Sequence, residues 1–317
     1  MKALTLNEIA AYLQAHDSYV ILTHRRPDGD TTGSAVALCL GLRGIGKEAW
    51  LLENPQFTPK LRPFLEGLTV EALPENCIVL SVDTATEGLM AFNAVDLADR
   101  VEILIDHHER NSGYAKGGYV DPTAAACGEI ILDLLQLLKA PQEKKTAEAL
   151  YLAISTDTGC FRYSNTTANT LMAAATCKAW GADTFHINRV FFMTKRPARL
   201  KLEAYLSNTT EFYAGGKIAI SIIPTALREE LGLTQDDIDD ISGFGREIEG
   251  VEVAIMIRRE TEGGKLSVRS SPNYDASAIC ARLGGGGHKA AAGATIPGGI
   301  EEAKAEILSV LREMELI

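Results

Sequence analysis

The stretch Val101-Glu102-Ile103-Leu104-Ile105-Asp106-His107-His108 indicates both the fold class and the place of the functional site. A run of mostly branched apolar residues ends abruptly in an acid and two imidazoles. Such a run is typical of a buried strand in a parallel sheet. Ligand and metal sites of open α/β sheets lie at the carboxyl edge, where such strands end. The triplet alone does not separate a metal site from hydrogen-bonded surface histidines, so the ends of the other strands decide between them.

Polar side chains of the same kind follow two other predicted strands and stand in one loop behind a predicted helix. Parallel strands place their carboxyl ends at one edge, so we expect these side chains to converge. Carboxylates that converge without a cation repel each other and raise their own pKa values, whereas a bound metal makes such a cluster intelligible. The side chains are His24, Asp28 and Asp30 after the first strand, Asp83 after the second, and Asp157 in the loop.

Each acid also has a purely structural interpretation. Asp28 and Asp30 are suited to a turn beside Gly29. Asp83 is suited to capping a following helix, and Asp157 to a turn. The convergence of all four acids, rather than any one of them, favours a metal site.

The charges of this cluster match two divalent cations. Four carboxylates supply four negative charges, and His24 and His107 add one neutral nitrogen each. Imidazole mixed with carboxylate, without thiolate, favours Mn²⁺, with Mg²⁺, Co²⁺ and Zn²⁺ as alternatives. A carboxylate shared by two ions about 3.5–4 Å apart would activate a bridging water for in-line attack on phosphorus.

The length of 317 residues predicts two domains. Strands alternate with helices up to about residue 186, which predicts an α/β domain with a parallel sheet and helices on both faces. Hairpin signals around Gly215-Gly216 and Glu262-Gly263-Gly264 then predict a smaller α+β domain. We therefore expect a metal-binding domain over residues 1–187, a helical linker over 188–208 and a second domain over 209–317, with a cleft between the domains.

Composition excludes several classes of function. The chain is 46% hydrophobic and 23% charged, which is typical of a globular protein. A net charge of −11 disfavours binding of long nucleic acid, so an anionic ligand should be small or bound through metal. No apolar run approaches the roughly 20 residues that span a bilayer, and the N-terminus lacks the order of a signal peptide. The six cysteines form no Cys-x-x-Cys pair. We expect a cytoplasmic protein without a membrane partner, and a homodimer is left open.

The motifs in chain order resemble those of the DHH phosphoesterase superfamily. The resemblance rests on five stretches and covers nearly the whole chain. Among its members, the chain is most similar to the two-domain bacterial group that degrades very short RNA and dephosphorylates 3′-phosphoadenosine 5′-phosphate (pAp). The five stretches are His24-Arg25-Arg26-Pro27-Asp28-Gly29-Asp30, Val82-Asp83-Thr84-Ala85, Asp106-His107-His108, Thr156-Asp157-Thr158-Gly159, and Gly284-Gly285-Gly286-Gly287-His288-Lys289-Ala290-Ala291-Ala292-Gly293.

The resemblance implies a role for each motif residue. Asp83 would bridge two ions, and Asp106 would support the histidines while His108 contacts the scissile phosphate. The implied ligands are His24, Asp28 and Asp83 for one ion and Asp30, Asp83, His107 and Asp157 for the other. In the second domain, the implied substrate contacts are Arg269, Ser270, Gly286, Gly287 and His288, with Arg269 and His288 gripping the terminal phosphate across the cleft. The distance from that grip to the metals would favour short substrates. Arg110, Lys116 and Arg162 are candidates for further contacts, although a solvated surface position accounts for each more simply.

The resemblance implies a metal-dependent 3′-5′ exoribonuclease for oligonucleotides of two to five residues that is also a pAp phosphatase. The alternative is a phosphodiesterase for linear or cyclic dinucleotides that uses the same metals. An inorganic pyrophosphatase is disfavoured because relatives with that activity lack the glycine-rich motif before His288. A nuclease for long DNA is disfavoured by the acidic composition, and a sensor without catalysis by the complete set of ligand types.

Overall fold

The structure, a computed structural model, describes residues 1–234, 237–238, 241–260 and 263–317. The chain forms two compact units, Met1–Thr194 and Lys195–Ile317, and each is described by itself. The linker expected over residues 188–208 and the domain limits on either side of it remain predictions. That stretch contains a π-helical turn, Arg189–Met193, and most of a helix that begins at Pro197.

The first unit contains a parallel sheet of seven strands in the order β1-β7-β6-β5-β2-β3-β4. The α/β class predicted from the sequence is confirmed. The strands are β1 (Lys2–Ala3), β2 (Tyr19–Leu22), β3 (Ala49–Leu52), β4 (Thr69–Val70), β5 (Ile78–Val82), β6 (Val101–Asp106) and β7 (Gly117–Val120). The helices are α1 (Leu6–Ala15), α2 (Gly29–Gly44), α3 (Cys127–Leu137), α4 (Lys144–Asp157), α5 (Ala168–Ala179) and α6 (Thr184–Asn188).

The two faces of this sheet are covered differently. Alternate strand residues such as Ile21 and Ile105 enter the larger core, which α1 to α5 close. Their neighbours Leu22 and Leu104 enter a smaller core on the opposite face. There the chain around Met90 and Ala94 supplies the cover, with 3₁₀ turns at Glu87–Leu89 and Val95–Arg100 in place of long helices.

Helices α2 and α4 pack very closely. This packing fixes the start of α2, which carries Asp30, and the end of α4, which carries Asp157. A Cβ atom placed on Gly33 would lie 2.3 Å from the backbone oxygen of Ala149, and one on Gly29 would lie 2.3 Å from Oγ1 of Thr156. Glycine is therefore required at both positions for the helices to approach. The contact holds the start of α2 against the end of α4.

The second unit is a six-stranded mixed sheet with helices, as the sequence predicts for the smaller α+β part. Its order is β12-β13-β11-β10-β9-β8, and among the described strands only the β9–β10 pair is parallel. The Gly215-Gly216 hairpin between β8 and β9 is confirmed. Glu262 of the second predicted turn lies outside the described residues. The elements are α7 (Pro197–Thr209), β8 (Glu211–Tyr213), β9 (Ile218–Ile223), α8 (Thr225–Glu230), β10 (Val253–Glu260), β11 (Gly263–Ser270), α9 (Ala276–Ala281), β12 (Gly286–Gly287), β13 (Ala291–Ile296) and α10 (Ile300–Glu313).

None of the helices in the described ranges combines the length and the apolar character needed to cross a bilayer.

Candidate metal centre

Acidic residues reach the carboxyl edge of the parallel sheet from helix ends as well as from strands. Helix α2 begins at Gly29, and Asp28 caps it by accepting hydrogen bonds from the backbone N–H groups of Asp30 and Thr31 at 3.0 and 3.1 Å. The turn expected around Asp30 is therefore the first turn of a helix. Asp157 is likewise the last residue of α4 and not a loop residue.

Asp30 also caps a helix distant in sequence. Helix α3 follows Ala126, whose side chain offers no acceptor for the first N–H groups. The Asp30 carboxylate accepts them instead, from Cys127 at 2.7 Å and Gly128 at 3.0 Å. Its negative charge at the positive end of the α3 dipole is favourable. Ser34 donates a further hydrogen bond at 3.0 Å, so Asp30 is held rigidly with Oδ2 facing the cluster.

Asp83 lies between two groups of ligand-type side chains. Its Oδ2 atom is 3.6 Å from Nε2 of His24, which is itself 3.5 Å from Oδ1 of Asp28. Its Oδ1 atom is 3.4 Å from Nε2 of His107. On that second side, Nε2 of His107 lies 3.6 Å from Oδ2 of Asp30 and 3.5 Å from Oδ2 of Asp157. The structure thus brings the six predicted ligands together. His24, Asp28 and Asp83 form one group and Asp30, His107 and Asp157 another, and a third group, of Asp83 with His107 and His108, lies between them.

His24 and His107 are oriented alike. Nδ1 of His24 donates to the backbone oxygen of Arg25 at 2.8 Å, and Nδ1 of His107 donates to that of Ala124 at 3.2 Å. These acceptors keep a proton on Nδ1 of each ring, so Nε2, which faces the acids, is the nitrogen that a metal would bind once it displaces any proton there. An imidazole in this state is a metal ligand.

His108 is held in a different way. Its Nδ1 atom donates to Oδ1 of Asp106 at 2.8 Å, and the same oxygen accepts the backbone N–H of His107 at 2.8 Å. The other oxygen of Asp106 accepts a hydrogen bond from the side chain of Asn111. Nδ1 of His108, which lies 3.6 Å from Oδ1 of Asp83, is thus already bonded, whereas Nε2 has no hydrogen-bond partner among the described residues.

Electrostatics show how unfavourable the cluster is without a cation. Burial, together with the nearby charges of Asp30 and Asp28, raises the pKa of Asp83 well above its usual range. Partial burial and the same two acids raise the pKa of Asp157 to about 7. Burial opposes a charge on His24, but Asp28 and Asp83 outweigh that effect and raise its pKa to about 10. The fold therefore brings together acids that raise one another's pKa values.

The buried oxygen of Asp83 provides a direct test of whether the residues fit a metal. Oδ1 of Asp83 is buried, and no residue within the described ranges donates a hydrogen bond to it. Leaving a buried carboxylate oxygen unpaired is expensive unless a cation binds it. Asp83 also holds a backbone φ of 51°, in the left-handed region that non-glycine residues adopt uncommonly. The residues present fit a divalent metal site.

The residues predicted to bind substrate in the second unit also meet at one place. Arg269 in β11 pairs with Ala291 in β13, and the backbone N–H of His288 donates to the oxygen of Ala291 at 2.8 Å. Gly286 and Gly287 form the neighbouring strand β12 and are exposed, as is His288. Ser270 is buried, and its hydroxyl donates to the backbone oxygen of Lys289 at 2.7 Å, so it has a structural hydrogen bond in addition to its predicted contact.

The glycines of this motif are not equivalent. A Cβ on Gly287, whose φ is +145°, would lie 2.6 Å from the backbone oxygen of Ala291, and one on Gly285 would lie 2.2 Å from that of Gly293. Packing therefore requires both. Gly286 has open space around the position of a Cβ and a backbone conformation that other residues adopt. Packing therefore does not require glycine at this position.

Asn111 is a residue of the centre that the sequence did not reveal. It lies five residues after Asp106, binds that carboxylate, and accepts the backbone N–H of Gly113 at 2.7 Å. The stretch Asp106-His107-His108-Glu109-Arg110-Asn111 places an amide just beyond the histidines, which is the only signal available in the sequence.

Three basic residues were candidates for further substrate contacts. Lys116 forms an ion pair with Glu102, and Arg110 and Arg162 are exposed.

Comparison with known proteins places this geometry in a family. Residues 18–154 match the N-terminal domain of the DHH family, and residues 215–314 match the DHHA1 domain. The chain is 33% identical over 312 residues to the bifunctional oligoribonuclease and PAP phosphatase NrnA of Thermus thermophilus, covering 96% of this chain and 93% of that protein.

The chain belongs to the DHH family. As a DHH protein it is a hydrolase that acts on phosphate esters. It is also 24% identical to the cyclic-di-AMP phosphodiesterase GdpP of Geobacillus thermodenitrificans, covering 86% of this chain but 44% of that protein. The crystal structure of an exopolyphosphatase-related protein from Bacteroides fragilis matches with a TM-score of 0.87 at 21% identity, covering 97% of this chain and 95% of that one, which supports the DHH fold.

Proposed function

We propose that the chain hydrolyses short oligoribonucleotides from the 3′ end and removes a phosphate from pAp, using two divalent cations held by the cluster around Asp83. The observation that carries this proposal is the position of Asp83. Its two carboxylate oxygens face two different histidines at 3.4 and 3.6 Å, and each histidine has further acids around it. A shared carboxylate of this kind is the arrangement that two-metal phosphoesterases use.

The proposed ligands divide into two sets. His24, Asp28 and Asp83 would hold one ion, and Asp30, Asp83, His107 and Asp157 the other. The four carboxylates balance two divalent charges, and a donor set of imidazole and carboxylate without thiolate favours Mn²⁺ over Mg²⁺, with Co²⁺ as a further alternative. When bound, such ions supply a nucleophilic water at neutral pH and neutralise charge on the phosphoryl group.

The chain's own residues orient the reaction around this centre. Asp106 fixes the ring of His108 through Nδ1, so that Nε2 can donate a hydrogen bond to an oxygen of the scissile phosphate. The carbonyl groups of Arg25 and Ala124 keep the other two imidazoles in the ligand tautomer. We assign Asp106 as a positioning residue and His108 as the catalytic contact to phosphate.

The second unit would recognise the end of the substrate. Arg269, whose Nη1 donates to the backbone oxygen of Val268 at 3.1 Å, would also donate to a terminal phosphate. The backbone at Gly286, beside Gly287, is open to an anion. Ser270 and His288 lie beside them and would complete the contacts. The net charge of −11 supports a small substrate bound through these groups and the cations, and no long nucleic acid.

Short RNA and pAp are favoured over cyclic dinucleotides because of how the relatives align. The match to the oligoribonuclease and PAP phosphatase spans 93% of that protein, whereas the match to the cyclic-di-AMP phosphodiesterase spans 44% of it. Six free cysteines agree with a reducing cytoplasm as the compartment.

A panel of substrates tests the proposal. Turnover of pAp, di- to pentaribonucleotides, linear and cyclic dinucleotides and pyrophosphate is measured with Mn²⁺ present. We expect turnover of pAp and of short RNA, falling with RNA length. Activity confined to cyclic dinucleotides or to pyrophosphate would contradict the proposal.

A further inference from the structure

The loop that follows α4 reverses direction sharply beside the metal centre. Three consecutive residues after Thr158 have left-handed backbones, Gly159 at φ 55°, Cys160 at φ 58° and Phe161 at φ 64°. Two of the three carry side chains, for which this conformation is strained. Gly159 is two residues from Asp157, so its Cα lies within roughly 8 Å of that of the proposed ligand. The strained turn sends the chain back across the end of the helix.

This reversal carries Tyr163 onto Gly159. The Cζ, Cε1 and Cε2 atoms of the Tyr163 ring lie 2.3, 2.5 and 2.6 Å from the position of a Cβ on Gly159. Nearly equal distances to three adjacent ring atoms place Gly159 under one face of the ring. The backbone N–H of Tyr163 donates to the oxygen of Thr158 at 3.1 Å, which fixes the start of the side chain.

The other face of the ring is open. Tyr163 is 57% exposed even though one face is packed on glycine. Phe161, two residues earlier, instead turns inward and packs at 5.8 Å from the ring of Tyr151. The two aromatic residues of this loop therefore differ. Phe161 packs against the fold, whereas one face of the Tyr163 ring is exposed.

A positively charged side chain, that of Arg162, lies on the same turn as this exposed ring. Arg162 is exposed, and its Nε donates to the backbone oxygen of Gly159 at 2.6 Å, which holds the guanidinium on the same turn. An aromatic face next to a guanidinium matches a nucleotide, which combines a flat base with a phosphate.

We infer that Tyr163 is a stacking platform for a nucleobase of the substrate, at the rim of the metal centre. The inference rests on the proposed function and adds a base-binding subsite to it. Stacking recognises the flat face common to all bases, so this subsite would accept RNA of any sequence while favouring substrates that carry a base. Arg162 would lie near the phosphate of the stacked nucleotide.

The test compares substrates with and without the base. KM and kcat are measured with the diribonucleotide ApA and with two versions of it that lack one base each, for the wild type and the variants Tyr163→Leu and Tyr163→Phe. Phe185→Leu, which changes a 66% exposed aromatic residue elsewhere in the same unit, is the matched control. Thermal melting verifies that each variant folds.

We expect Tyr163→Leu to raise KM for ApA about tenfold, because the stacking contact with one base is lost, and to leave kcat nearly unchanged. Tyr163→Phe and Phe185→Leu should behave as the wild type. For the version of ApA that lacks the stacked base, the wild type and Tyr163→Leu should have equal KM values.

If the wild type turns over ApA, two results would overturn this inference without affecting the proposed function. One is an unchanged KM in Tyr163→Leu, and the other is an equal rise in KM for all three substrates, which would mean that the ring only supports the loop. Absence of turnover in the wild type would instead overturn the proposed function, and this inference with it.

Discussion

The Nδ1 atom of His108 lies 2.8 Å from Oδ1 of Asp106, a carboxylate with no exposed surface. That nitrogen also lies 3.6 Å from Oδ1 of Asp83, but it already donates to the buried Asp106, which orients the ring. We propose that this contact gives the two adjacent histidines different roles, with His107 as a metal ligand and His108 as a contact to the substrate.

Replacement of His108 should therefore affect catalysis and leave metal binding intact. We expect His108→Ala to lower kcat about 10²–10³-fold, the loss typical of removing one donor to a developing oxyanion. The number of Mn²⁺ ions bound per chain should not change. His186→Ala, an exposed histidine of α6, is the control and should keep wild-type kcat. Loss of one bound ion in His108→Ala would show that this histidine is a ligand.

Asn111 should act through Asp106. Asn111→Ala removes a donor to a buried carboxylate, and we expect kcat to fall about 10- to 100-fold with Mn²⁺ binding retained. Asn111→Asp places a second acid against Asp106, and the repulsion raises the pKa of the pair. Its activity relative to wild type should therefore be higher at pH 6 than at pH 8. An equal relative activity at both pH values would contradict the positioning role.

Metal affinity should rise with pH. Below its raised pKa of about 7, Asp157 holds a proton that a metal must displace, and His24 holds one up to about pH 10. Both folded-state pKa values lie above the unfolded ones, so the metal-free protein loses stability as pH rises from 6 to 8.

Calorimetric titration with Mn²⁺ and thermal melting in chelator measure these two effects. We expect tighter binding at pH 8 than at pH 6, a shallower dependence in Asp157→Asn, and a lower melting temperature of the metal-free protein at pH 8. Saturating Mn²⁺ should raise the melting temperature at both pH values. Affinity that does not change between pH 6 and 8 would argue against protonated ligands.

Arg269 should contribute to binding more than to chemistry. We expect Arg269→Ala to raise KM for pAp about 10- to 100-fold, the value of charge-assisted hydrogen bonds to phosphate, with kcat close to wild type. Arg269→Lys keeps the charge but lacks the forked pair of donors, so its KM should lie between those of the wild type and Arg269→Ala. Arg312→Ala, an exposed arginine of α10, is the control. A fall in kcat at unchanged KM would contradict a grip on the terminal phosphate.

The sequence predicts the fold class and the region of the site because both depend on local patterns. Buried strands such as β6 appear as apolar runs, and the acids stand just after them. Strand β7 was not predicted, since Gly117 and Gly118 interrupt its apolar character and the strand depends on pairing with β6. Asp157 was expected in a loop, but α4 continues to this residue. In the last turn of α4 the hydroxyl of Thr156 donates to the backbone oxygen of Leu152 at 2.8 Å.

Contacts between distant parts of the chain account for what the sequence did not reveal. Asp30 caps α3 across 97 residues, and no local pattern indicates this. The orientation of Tyr163 over Gly159 depends on three left-handed residues, only one of which is glycine. The amide of Asn111 was visible in the sequence, but its bond to Asp106 needed the structure.

The central claim is that Asp83 bridges two cations, and the stoichiometry of Mn²⁺ binding tests it most directly. Metal-free wild type, Asp83→Asn and the control Asp133→Asn, an exposed acid of α3, are titrated with Mn²⁺ by calorimetry. We predict two ions per chain for the wild type and the control, and loss of at least one ion in Asp83→Asn. A single ion in the wild type, or two ions bound with wild-type affinity in Asp83→Asn, would contradict the bridging role.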